Sequence, residues 1–184
     1  PRGRPPPLAD PEPAAAVADL GTGSGAIALA LDAELPDVTV WATDVSADAL
    51  DVARANLAGS AANRIRLAQG SWFDALPRSL RGRLRLVVSN PPYVAESELA
   101  DLPVELQHEP RGALVSGPTG MEAIDDLARD APAGLDATGT FVCEIPPQRA
   151  ETAAKVATAA GFEEVLVRPD LAGRDRVLVA RMLG

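Results

Sequence analysis

The chain has 184 residues, 47% hydrophobic and 23% charged, which suits one globular domain with a substantial core. A formal charge of −9 argues against tight binding to a phosphate backbone. The single cysteine, Cys143, leaves no internal disulfide or thiolate metal site, and the single histidine, His108, leaves no histidine cluster. No apolar stretch is long enough to span a bilayer and no signal peptide is visible, so a cytoplasmic setting and no metal are expected. A first residue of Pro rather than Met reads as a fragment or a processed chain.

Residues 1–13 are rich in proline, lack hydrophobic periodicity and read as an extended arm. The folded domain is expected from 14 to 184. Residues 14–20 read as a short buried strand, Gly21-Thr22-Gly23-Ser24-Gly25 as a turn, and 26–35 as a helix stopped by Pro36. Strand, glycine turn and helix is the layout of a nucleotide-type site, in which glycines let a ligand approach the backbone closely. The G-x-G-x-G spacing is neither that of dinucleotide binders nor that of a P-loop. The next strand, 38–43, ends in Asp44, 19 residues after Gly25. A carboxylate at that tip can accept both ribose hydroxyls of an adenosine, and the pair of features together predicts an adenosine cofactor.

A third strand is expected over 63–68, followed by Gly70-Ser71-Trp72-Phe73-Asp74. Trp72 reads equally as a ring over an adenine face and as a half-buried core aromatic. The arginine-rich stretch 78–85 reads as a solvated loop leading into the fourth strand, 84–89. That strand closes on Asn90-Pro91-Pro92-Tyr93, at the edge of the sheet where open α/β folds bind ligands. Two prolines lack N–H donors but keep their carbonyls. With the Asn90 side-chain oxygen they make a rigid set of acceptors, which suits an –NH2 group, and Tyr93 adds a flat ring to hold a planar group. Residues 94–118 read as a long irregular segment carrying His108, which is expected to be a structural or loop histidine. A helix over 120–131, a strand over 139–145 containing Cys143 as core, and a helix over 148–160 follow. The last strands, 162–168 and 176–182, are joined by too short a loop for a parallel crossover and should pair antiparallel. The alternation predicts an α/β doubly wound sheet. Seven strands, mostly parallel with an antiparallel final strand, is the Rossmann-like layout of the class I S-adenosylmethionine-dependent methyltransferases.

Residues 19–29 resemble the first motif of those enzymes, and Ser89-Asn90-Pro91-Pro92-Tyr93 resembles the fourth. Residues 70–73, His108-Glu109-Pro110-Arg111-Gly112-Ala113-Leu114, Glu144 with Gln148, and 170–176 are similar to the HemK/PrmC family of protein-(glutamine-N5) methyltransferases. The resemblance runs from Val17 to the end. It implies methyl transfer from S-adenosyl-L-methionine, leaving S-adenosyl-L-homocysteine. The acceptor it implies is the glutamine side-chain amide in the Gly-Gly-Gln motif of peptide chain release factors. It implies Asp19, Gly21, Thr22, Gly23, Ser24, Gly25, Asp44, Trp72 and Asn90 as cofactor-binding, and Asn90, Pro91, Pro92 and Tyr93 as catalytic. The expected partner is a release factor bound by a monomer, with no nucleic acid and no membrane. A nucleic-acid amino-methyltransferase using the same tetrapeptide, and a cofactor-binding but idle fragment, are the alternatives. The family's N-terminal helical domain is expected to be absent, and Ser71, Thr119 and Pro146 stand where Asp, Asp and Gly are usual.

Overall fold

The computed structural model describes residues 15–60 and 62–184, so the proline-rich arm lies outside the described residues. Nine strands are found among them: β1 Ala16–Leu20, β2 Thr39–Asp44, β3 Ile65–Gln69, β4 Leu84–Ser89, β5 Val94–Ala95, β6 Val115–Gly117, β7 Leu135–Glu144, β8 Glu164–Pro169 and β9 Asp175–Arg181. The helices are α1 Ala26–Glu34, α2 Ala47–Ala58, α3 Arg111–Leu114, α4 Glu122–Gly134 and α5 Ala150–Ala159. Seven strands form one sheet in the order β3-β2-β1-β4-β7-β9-β8. The pairs from β3 across to β7 are parallel, and β9 runs antiparallel to both β7 and β8. The expected antiparallel pairing of the last two strands is present, and β9 inserts between β7 and β8.

The strands divide their side chains between two helical layers, as the pleat requires. All five residues of β1 are buried. Val17 of β1 and Val40 and Ala42 of β2 join Ala28, Leu29 and Leu31 of α1 on one face. Ala18, Leu20, Val87 and Phe141 join Ile124, Leu127 and Ala131 of α4 and Ala153 and Ala157 of α5 on the other. Cys143 is fully buried in this second layer. Helix α2 starts at Ser46, whose hydroxyl accepts the Ala49 N–H at 3.2 Å, with Asp48 in the first turn where the helix dipole favours it.

Three expectations are corrected in detail. The helix read as 120–131 runs Glu122–Gly134 with Pro132 inside it, because a proline in the last turn forfeits only one hydrogen bond. Strand β7 begins at Leu135, not 139: Leu135 pairs with Leu84, and the turn-like Asp136 accepts the Thr138 N–H at 2.9 Å within the strand. The segment 94–118 is not wholly irregular. Strands β5 and β6 pair in parallel, Val94 opposite Val115 and Ala95 opposite Gly117, and enclose two 3-10 turns and α3. The backbone of His108 ends the second of these turns, and its side chain lies outside the described residues. No helix among the described residues is long and apolar enough to cross a membrane.

Candidate active site

The sheet aligns four strand tips. Leu20 at the end of β1 pairs with Thr43 on one side and Ser89 on the other, and Ser89 pairs with Cys143 of β7. The next residue in each chain segment is therefore Gly21, Asp44, Asn90 and Glu144, a row along the carboxyl edge. From β1 the sheet grows through β2 and β3 in one direction and through β4 in the other. This reversal of strand order is the place where open α/β sheets form their ligand crevice. The Ser89 hydroxyl donates to the Leu20 carbonyl at 2.6 Å and ties β4 to β1 just below the row.

The glycine turn is held from beneath and from the side. Gly21 and Thr22 both donate their N–H to the Thr43 carbonyl, at 2.9 and 2.8 Å. Asp19 is fully buried, and its Oδ2 accepts the Thr22 hydroxyl at 2.6 Å and the Ala28 N–H at 3.0 Å. Asp19 thus sits behind the turn and braces it against α1. Its other oxygen is buried without a partner, and burial raises its pKa from 3.8 to about 6 despite the Thr22 and Ala28 hydrogen bonds. Gly21, Gly23 and Gly25 all have positive φ, which glycine adopts without strain. A Cβ on Gly23 would meet nothing within 4 Å, so this part of the turn faces open space. Ser24 is exposed at the bend, where its carbonyl accepts from the Asn56 amide at 2.9 Å.

Asp44 is half-buried beside the turn. Its Oδ2 accepts the Gly23 N–H at 2.9 Å and its Oδ1 accepts the Ser46 N–H at 2.9 Å. Each carboxylate oxygen keeps a lone pair for a ligand hydroxyl. Trp72 is half-buried against the core that includes α4 and α5, as the core-aromatic reading expects, and its ring lies against Gly21. A Cβ on Gly21 would come within 3.0 Å of the Trp72 ring, so only glycine leaves the ring that place. Trp72 is also the one described non-glycine residue with positive φ, at 40°. Ser71 is exposed just before it.

At the tip of β4, Asn90 is exposed, and its side chain bonds to no other described residue. Pro91 is buried, and Pro92 and Tyr93 are half-buried. Tyr93 donates its hydroxyl to Glu144 Oε1 at 3.1 Å. Its carbonyl accepts from Arg149 at 3.3 Å, and Arg149 also pairs with Glu98 at 2.8 Å. Glu98 in turn accepts the Ala95 N–H at 3.0 Å, which lowers its pKa before Arg149 adds to the effect. Gly120, at φ 75°, passes so close that a Cβ would lie 2.6 Å from the Tyr93 carbonyl oxygen and 2.9 Å from the Ala95 nitrogen.

Arg149, Glu98 and Gly120 were not among the expected site residues. Nothing local marks them; only the chain's return past Tyr93 reveals them. Thr119 donates its N–H and hydroxyl to Glu122 at 2.8 and 2.9 Å and so supports the start of α4. Pro146 is buried, and Gln148 is exposed. Among the described residues no group of three or more His, Cys, Asp and Glu could hold a metal ion. A cavity of about 410 Å³, lined by Phe73, Arg78, Arg81, Leu84 and Gly134, includes the amino end of β4 and none of these groups.

Strand order and site together define a class I S-adenosylmethionine-dependent methyltransferase fold. A methyltransferase from Pyrococcus furiosus shares it, with a TM-score of 0.68 and 18% identity over 94% of this chain and 76% of that one. The chain belongs to the methyltransferase small domain family, whose model matches residues 8–117. It is 43% identical, over 91% of its length, to a release factor glutamine methyltransferase of Xylella fastidiosa, and 44% identical, over 93%, to that of Cereibacter sphaeroides. It spans 60% and 61% of those two relatives.

Proposed function

We propose that this chain is the catalytic part of a release factor glutamine methyltransferase, which moves a methyl group onto the side-chain amide nitrogen of a release factor's Gly-Gly-Gln glutamine. The observation that carries this reading is the exposed Asn90, without a side-chain partner among the described residues, beside two prolines and in one row with the glycine turn and Asp44. The open space over Gly23 and the braced Asp44 carboxylate fit an adenosine-bearing cofactor. Gly21 to Gly25 and Asp44 would hold it, with Trp72 against the turn and Asp19 acting through the turn it braces. S-adenosyl-L-methionine, when bound, supplies an electrophilic methyl on a sulfonium and becomes S-adenosyl-L-homocysteine.

The chain's own residues solve the other half of the problem. An amide nitrogen is a poor nucleophile because its lone pair is delocalised into the carbonyl. The Asn90 oxygen and the Pro91 carbonyl accept its two N–H bonds, which fixes its orientation and stabilises positive charge as it develops there. Tyr93 holds the amide plane. Once methylated, the nitrogen is acidic enough to lose its proton to water, so no strong general base is needed. The relatives' names and the shared stretches support a protein substrate over a nucleic acid. The reading includes a monomer working in the cytoplasm.

Transfer of labelled methyl to a purified release factor tests this, beside a release factor whose motif glutamine is alanine. Label on the first and none on the second is the expected result. Label on both, or on RNA or DNA but not protein, contradicts the reading.

A further inference from the structure

We infer that Glu144 and Arg176 are positioning residues for transfer at the Asn90–Tyr93 tetrapeptide. They occupy the Tyr93 hydroxyl from two sides, so that Tyr93 presents its ring and not its O–H to the substrate. This inference rests on the glutamine-amide reading above.

The geometry comes from three separate elements. The Tyr93 hydroxyl donates to Glu144 Oε1 at 3.1 Å, from the loop after β4 to the tip of β7. Arg176, at the start of β9, reaches the same hydroxyl with Nη1 at 3.5 Å. The Arg176 guanidinium also lies 3.9 Å from Glu144 Oε1 and 3.9 Å from Asp170 Oδ2. Asp170 is fixed by the hairpin itself, accepting the N–H groups of Ala172 and Arg174 at 2.9 and 3.0 Å. The side chains of Arg176 and Glu144 are only 22% and 33% exposed, unlike a solvated pair such as Lys155–Glu151 at 74% and 84%. Shielding of this degree makes the Glu144–Arg176 contact more consequential than a surface ion pair.

The direction of the bond is forced by chemistry. A phenol has one proton to give, a carboxylate has none, and a guanidinium only donates. The Tyr93 proton therefore goes to Glu144, and an oxygen lone pair faces Arg176. Both functions of the hydroxyl are engaged. This suits the neighbouring site: an amide –NH2 needs acceptors, and a free O–H beside Asn90 would compete as a donor. Turning the phenol away keeps the site acceptor-rich. It also fixes where an aromatic ring carried on a loop points, which a wall for a planar group requires. The backbone of the same residue is held independently, by Arg149 on its carbonyl with Glu98 behind it.

Tyr93 is the only tyrosine in the chain, so tyrosinate absorbance on pH titration reports this residue alone. The groups facing the hydroxyl are Glu144 and Arg176, with Asp170 behind the arginine. Burial, and then Glu144, raise its pKa above the usual tyrosine value of 10.0. The Glu144→Gln variant is expected to lower that pKa and Arg176→Gln to raise it further. Opposite shifts distinguish a working web from loss of fold, which would send both variants toward the usual value. An unchanged pKa in Glu144→Gln overturns the inference.

On the release factor substrate, Glu144→Gln and Tyr93→Phe are each expected to lower kcat about tenfold with little change in KM. The double variant should be no worse than either alone. Losses that multiply, or an unaffected kcat, overturn the inference. A wild-type chain that transfers no methyl to the glutamine contradicts the glutamine reading instead, and leaves the opposite titration shifts to judge the web.

Discussion

The Asp44 carboxylate accepts the Gly23 N–H at 2.9 Å, so the acidic tip of β2 is locked to the glycine turn at the tip of β1. The same carboxylate caps the Ser46 N–H just before α2. One side chain therefore holds the turn and anchors the entry to a helix, and in the proposed function its remaining lone pairs would accept a ribose hydroxyl. Removing it with Asp44→Ala is expected to weaken S-adenosylmethionine binding about a hundredfold, the order expected for losing charge-assisted hydrogen bonds. Calorimetric titration measures this directly.

Gly21 and Trp72 should be coupled. Alanine at position 21 must adopt a positive φ, at a cost of about 1–2 kcal/mol, and must also push the Trp72 ring from a 3.0 Å contact. Gly21→Ala should therefore lower stability in urea unfolding, and less so in a Trp72→Ala background, where only the backbone cost remains.

Asp19 gives a signed pH dependence. Its pKa in the folded chain is raised from 3.8 to about 6, so the folded state holds a proton that the unfolded state releases. That contribution to stability is fully present below pH 3.8 and is lost as pH rises through 6, an effect of roughly 3 kcal/mol. Asp19→Asn cannot titrate. The stability difference, wild type minus variant, should fall between pH 4 and 6 and be level above 7, as measured by urea unfolding across that range.

The glycine turn, Asp44 and the Asn90–Tyr93 tetrapeptide were legible in the sequence because each is a local pattern at a strand end. Their alignment was not, because it depends on register: Leu20 facing both Thr43 and Ser89 is a property of paired strands. Strands β5 and β6 escaped because two or three residues carry no periodicity. The first four residues of β7 escaped because Asp136 and Thr138 have turn chemistry, which they do use, but inside a strand. Glu144 and residues 170–176 stood out only by resemblance. The structure supplies their physical reason, since Glu144, Arg176 and Asp170 converge behind Tyr93.

Gly120 offers a test of how tightly that tetrapeptide must be held. A methyl group there meets the Tyr93 carbonyl oxygen at 2.6 Å and the Ala95 nitrogen at 2.9 Å, neither of which is a flexible side-chain end. Gly120→Ala should displace the Tyr93 segment and lower kcat at least tenfold, while affinity for the cofactor, proposed to bind at the tips of β1 and β2, should stay within about twofold. Parallel transfer and binding assays separate the two.

Asn90 is proposed to serve the substrate amide while the turn and Asp44 serve the cofactor. The most direct measurement is methyl transfer and S-adenosylmethionine binding on one preparation of Asn90→Ala. A loss of about a thousandfold or more in kcat, with Kd for the cofactor within about threefold of wild type, is the predicted result. Retained transfer, or an equal loss of transfer and binding, would contradict it.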